Sequence, residues 1–120
     1  MKTWQTLLAS VCLFCSSPSL AETNGNELYQ YCQSYIAAQS NWAAGFCNGF
    51  IGSEAETLVS LQAICPSEHV TYQQAYDMVT KYLVLHPETR DQPAASLVYA
   101  ALAETFPCAK ATLAPAPSPN

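Results

Sequence analysis

The fold is decided between Glu27 and Pro66, where the chain reads ELYQYCQSYIAAQSNWAAGFCNGFIGSEAETLVSLQAICP. Leu28, Tyr31, Cys32, Tyr35 and Ile36 recur at steps of three and four, which marks one face of a helix over Glu27 to Ala38. Ser40-Asn41 offers an N-cap. Ala43, Phe46, Cys47, Phe50, Leu58 and Leu61 then predict a second helix from Trp42 to Ile64, stopped by Pro66. So short a turn makes the two helices an antiparallel hairpin. Cys32 and Cys47 lie seven or eight residues either side of Gln39-Ser40, so they face each other across it. Cys47 and Cys65 are separated by ~27 Å of helix at ~1.5 Å per residue, and a disulfide needs Cα atoms within ~7 Å. Cys32–Cys65 would join points at very different distances from the turn. The spacing therefore predicts Cys32–Cys47 and Cys65–Cys108, worth about 3 and 4 kcal/mol as upper bounds from loop closure.

Two further helices follow from the hairpin. Thr71 with Gln74 three residues on reads as a capping box. Ala75, Tyr76, Met78, Val79, Tyr82 and Leu83 carry that helix to Leu85, and His86-Pro87 ends it. Asp91 reads as the cap of a fourth helix, with Pro93 tolerated in its first turn. Ala94 to Phe106 is apolar nearly all round, so this helix is expected to be the most buried. Glu22 to Asn26 is polar and expected to fray. Alternation typical of strands never persists. The expected fold is an all-α, four-helix domain with two disulfides over residues 22–110.

The ends read differently. Lys2, the apolar run Leu7 to Phe14 and Ser19-Leu20-Ala21 have the three parts of a secretory signal peptide, cut before Glu22. The run is too short to span a bilayer, which needs ~20 residues. Cys12 and Cys15 leave with the leader. Four cysteines then remain, and an even number in an exported chain reads as two disulfides. Residues 111–120 hold three prolines with alanine and serine and predict a disordered tail. A bacterial-looking leader points to the periplasm.

Charge excludes two classes of function. Nine acids against the four bases of the whole chain give −5. After the leader only Lys81, Arg90 and Lys110 remain, giving −6. No cationic patch exists to displace phosphate counterions or to dock on an anionic membrane. Catalytic signals are absent as well. His69 and His86 have no free cysteine partner, and no His/Cys spacing suits a metal. No Gly-x-Ser-x-Gly elbow or phosphate-binding glycine loop occurs. Glu54 and Glu56 point ~200° apart on a helix, as solvated residues do. Neither cofactor nor metal nor catalytic residue is expected. Gly45, Gly49 and Gly52 form one stripe on the second helix, where each glycine costs ~1 kcal/mol against alanine. Close packing inside the chain and close approach of a second subunit are the two readings of that stripe.

The blocks Asn26-Glu-Leu-Tyr-Gln-Tyr-Cys32, Phe46-Cys-Asn-Gly-Phe-Ile-Gly52, Ile64-Cys-Pro66, Val70-Thr71, Val79-x-Lys-Tyr-Leu83, His86-Pro87 and Ala100-Ala-Leu-Ala-Glu-Thr-Phe-Pro-Cys108 resemble the Rap/Tai family. Those are periplasmic immunity proteins of the type VI secretion system. The resemblance runs in order along nearly all the exported chain, although Ser53-Glu54-Ala55-Glu56 is more acidic than the family pattern. It implies a homodimer, with the Gly45-Gly49-Gly52 stripe as candidate seam, that binds and inhibits a peptidoglycan amidase injected by sibling cells. Such an inhibitor needs a projecting connection and no catalytic centre. Glu88, Thr89, Arg90 and Asp91 are the expected effector-binding residues, with the Pro66 to Val70 turn as a second candidate. A small periplasmic stress chaperone, also helical, dimeric and disulfide-bonded, is the alternative, and it would bind hydrophobic dyes at low pH.

Overall fold

The computed structural model describes residues 22–109. The expected leader and the proline-rich tail lie outside the described residues. Four α-helices make the domain: α1 (Gly25–Ile36), α2 (Trp42–Ser60), α3 (Tyr72–Leu85) and α4 (Ala94–Thr105), with a 3₁₀ turn at Pro87–Thr89 before α4. Among the described residues the only strand-like feature is one antiparallel bridge between Asn24 and Pro93.

Each helix contributes to one core. Leu28 and Cys32 of α1, Cys47 and Ile51 of α2, Val79 and Leu83 of α3, and Leu97, Val98 and Leu102 of α4 are buried together. Burying one such Leu or Ile is worth about 2 kcal/mol. The hairpin is stapled inside that core, because Cys32 and Cys47 are bonded and both fully buried. Cys65 and Cys108 form the second bridge, which lies at the surface. It ties the segment after α2 to the end of α4, where the Cys65 amide also donates to the Phe106 carbonyl at 2.9 Å. Both bridges are the ones that the helical spacing requires.

Helix ends depart from the sequence reading in instructive ways. The segment before α1 is not frayed. Asn24 and Glu27 form a capping box, the Asn24 side chain accepting from the Glu27 amide at 3.0 Å and the Glu27 carboxylate from the Asn24 amide at 3.3 Å. The Gly25 and Asn26 amides donate to the carbonyls of Gln92 and Arg90, at 2.9 and 2.8 Å. Two of the four orphan donors of the helix start are thereby satisfied by the chain before α4. Asp91 is exposed and does not cap α4. Pro93 holds the N-cap position with no side-chain hydrogen bond, and the Thr23 carbonyl takes the Ala94 N–H at 2.9 Å instead.

α1 and α2 end in the same device, two residues and four residues before the expected stops. Ala38 and Gln62 adopt left-handed φ of 54° and 56°. The amides one and two places past each C-cap turn back onto the last carbonyls: Ala38 to Tyr35, Gln39 to Ser34, Gln62 to Val59 and Ala63 to Leu58. Both are Schellman motifs, which glycine usually makes. Here alanine and glutamine make them, so the sequence carries no glycine signal at either boundary.

Polar contacts register α3 on its neighbours. The Tyr35 hydroxyl donates to Asp77 at 2.7 Å and also meets the Gln73 amide. Burial first, and then the Asp77 carboxylate, push the Tyr35 hydroxyl up to about 12. Tyr72 hydrogen-bonds Glu56 of α2, which holds the Tyr72 hydroxyl above its usual range.

Gly25 sits at the tightest of these junctions. A Cβ there would stand 2.7 Å from the Arg90 carbonyl oxygen, a backbone atom with little freedom to move. Gly25→Ala is expected to lower unfolding stability by about 2 kcal/mol or more, read from urea denaturation. A variant as stable as wild type would contradict the close approach of α1 to residues 90–92.

Candidate functional site

The connection from α3 to α4, residues 86–93, is a compact element and not a slack loop. Pro87 starts the 3₁₀ turn. The Thr89 amide and hydroxyl both donate to the His86 carbonyl, at 3.2 Å each. The Gln92 amide donates to Thr89 at 3.0 Å. His86 ends α3 with its ring 4.2 Å from that of Tyr82 and its Nδ1 2.9 Å from the Glu88 carboxylate. That hydrogen bond holds the Glu88 carboxyl below its ordinary range.

The four residues expected to meet a partner divide into two pairs. Glu88 and Asp91 are exposed and available. Arg90 is turned inward. Its Nε donates to the Leu83 carbonyl at 2.6 Å and its Nη2 to Val84 at 3.3 Å. Its guanidinium carbon lies 3.5 Å from the centre of the Tyr29 ring on α1. Arg90 thus caps the negative end of α3 and stacks on α1 while its own carbonyl accepts from Asn26. Thr89 spends its hydroxyl on His86. Sequence reasoning missed Gly25, Asn26 and Tyr29, which position this element. The Asn24-x-x-Glu27 capping pattern was the signal that could have pointed to the first two.

The glycine stripe also divides. A Cβ on Gly52 would be 3.4 Å from the Tyr76 hydroxyl of α3, so Gly52 serves packing within the chain. At Gly45 and Gly49 an added Cβ would meet nothing within 4 Å. These two face outward beside Trp42, which is 71% exposed although its ring touches Tyr31 edge-on at 5.3 Å. On the Gly45 side α2 and α3 diverge around a groove of about 850 Å³. In the second candidate turn Pro66 and Val70 are half-buried, while His69 and Glu68 between them lie 3.7 Å apart with side chains 88% exposed.

No catalytic constellation assembles among the described residues. All four cysteines of the described chain are oxidised. Glu56 is engaged by Tyr72. Among the described residues no three His, Cys, Asp or Glu side chains gather as a metal ion needs, and no helix is long and apolar enough to cross a membrane.

Arg90→Met keeps the aliphatic stem but removes both capping hydrogen bonds and the cation. It is expected to cost about 2 kcal/mol of stability in denaturant titration. A loss below about 0.5 kcal/mol, the range of an ordinary surface change, would contradict the inward role of Arg90.

Comparison with known proteins places the chain. The family model of the Rap1a immunity proteins matches residues 24–108, from the N-cap of α1 to the last cysteine of the outer disulfide, and so takes in every helix. No curated protein shows significant similarity to the chain. A match over that much of the sequence makes this protein a member of the Rap1a immunity proteins, which bind a toxin partner and are not enzymes.

Proposed function

We propose that the protein binds and inhibits a peptidoglycan amidase effector of the type VI secretion system, in the periplasm, and so protects the cell that makes it. Inhibition works by occlusion: residues 86–93 enter the amidase cleft, with Glu88 and Asp91 meeting its polar groups. The observation that carries this reading is that the connection is already ordered. Arg90 and the α1 start hold it from beneath while Glu88 and Asp91 stay exposed, so little conformational entropy is lost on binding. The leader read in residues 1–21 and the two disulfides support an oxidising, exported location. The excess of acids, −5 over the whole chain, favours fast encounter with a basic toxin.

The functional unit in this reading is a homodimer. Gly45 and Gly49, open to the outside beside exposed Trp42, let a second backbone approach α2 closely. Gly52 is occupied by Tyr76 and supports the α2–α3 contact.

Two experiments test these points. The double variant Glu88→Ala, Asp91→Ala leaves the Arg90 contacts in place. In calorimetric titration with a cognate peptidoglycan amidase it should bind at least about thirtyfold more weakly, some 2 kcal/mol. It should also fail to prevent lysis when the amidase is sent to the periplasm. Full affinity in the double variant would move the contact to another surface. Gly49→Leu should fold normally, since its side chain points into open space, and should be a monomer by light scattering. Wild type that is itself monomeric at high concentration would exclude the dimer.

A further inference from the structure

We propose that residues 110–117 run back as an extended strap into the apolar groove between the end of α2, the start of α3 and the end of α4. The groove has a volume of about 450 Å³, within the ~300–1,000 Å³ of clefts that hold a ligand. Its floor is made of the buried core residues Ile64 and Leu102, and its walls of Val59 on α2, Tyr72 on α3 and Phe106 at the end of α4. Val59 and Tyr72 are 45% and 52% exposed. Packing among the described residues thus leaves a continuous apolar face open beside the core, which is a mark of a contact site.

The path of the chain supplies the occupant. Phe106 lines the groove, and Cys108, two residues on, is bonded to Cys65 with their Cα atoms 4.7 Å apart. Cys65 stands between Ile64 and Pro66, both lining residues, and its amide donates to the Phe106 carbonyl at 2.9 Å. The outer disulfide therefore starts residues 110–120 at the edge of the groove. So short a tether sets an effective concentration on the order of millimolar. Length suffices as well. The lining residues of α2 run from Ala55 to Ser60, about 8 Å of helix at ~1.5 Å per residue. Residues 111–117 span ~22 Å in polyproline II conformation at ~3.1 Å per residue.

The chemistry of the segment matches. Ala111-Thr-Leu-Ala-Pro-Ala-Pro117 carries no charge. The prolines that by composition predict a disordered tail also keep it extended, so docking costs little entropy. Segments of this kind dock on grooves lined by aromatic rings. Tyr72 and Phe106 supply the rings here, and Leu113 is the large apolar side chain that reaches the floor. Lys110 is the one charge after Cys108, and Glu56 is the one charged residue that lines the groove, of opposite sign. The Tyr72 hydroxyl donates to Glu56 and holds that carboxylate at the rim. The family match ends at residue 108, so the strap lies outside the part of the chain that the family shares.

The test is nuclear magnetic resonance of residues 22–120. The Leu113 methyls should show nuclear Overhauser contacts to the Tyr72 and Phe106 rings. The amides of Leu113, Ala114 and Ala116 should have order parameters close to those of the helices, about 0.85. Val59→Lys, at an exposed position of α2, should keep the helical spectrum and drop the order parameters of those amides below about 0.6. Leu113→Ser should do the same without altering any helix. Wild-type values below about 0.6, with no contact to either ring, would overturn the proposal. Order parameters unchanged in both variants would show the segment held elsewhere and overturn its placement in the groove. Contacts found only between labelled and unlabelled chains of a mixed sample would assign the groove to the tail of a second copy and overturn the strap.

Discussion

Arg90 bonds with its side chain to the last carbonyls of α3, and much of the domain's upper end depends on that contact. Carbonyls at a helix C-terminus have no intrahelical partner and carry the negative end of the helix dipole. A guanidinium meets both needs, and its planar face rests on Tyr29 of α1. With the side chain fixed, the Arg90 carbonyl is aimed at the Asn26 amide, and the Gln92 carbonyl two residues on meets Gly25. The return bond from Ala94 to Thr23 starts α4. One partly buried cation therefore organises the end of one helix and the starts of two others. The connection it underlies is held in shape by these bonds, while Glu88 and Asp91 remain exposed.

This arrangement shows which parts of the structure could be read from the chain. The helices were legible because their signals are local: apolar residues at three- and four-residue steps, Thr71 with Gln74, and prolines after α3 and α4. The disulfides were legible because a helical hairpin leaves few ways to bring cysteines together. The boundaries that failed depend on backbone contacts between distant segments or on unusual residues. α4 begins against Thr23, about seventy residues earlier in the chain, and no local pattern announces that. α1 and α2 stop in left-handed turns at Ala38 and Gln62, where glycine is the usual sign. The candidate site was legible as a segment but not residue by residue. A sequence places Arg90 among polar neighbours, and only packing reveals that it faces Tyr29 while Glu88 and Asp91 face solvent.

A protein that neutralises a toxin by binding has different physical needs from an enzyme. It must hold a recognition element in one shape at low entropic cost, and it has no use for a nucleophile or a base. In the proposed reading the buried Cys32–Cys47 bridge, the outer Cys65–Cys108 bridge and the Arg90 cap would serve that need. They compensate for a core that is modest in a domain of this size. Gly45 and Gly49 present open faces that packing within the described residues does not use. Both lie on α2, on the face that also exposes Trp42.

Amide hydrogen exchange tests the central claim most directly, because it reads the connection without any partner. The amides of Gly25, Asn26 and Gln92 are each bonded to a carbonyl of residues 89–92. If the Arg90 contact fixes this region, their protection should approach that of amides inside α1 and α3, and should fall sharply in Arg90→Met while the α2 interior is unaffected. Exchange of these three amides in the wild-type protein at the rate of an unstructured terminus would contradict a preformed recognition element.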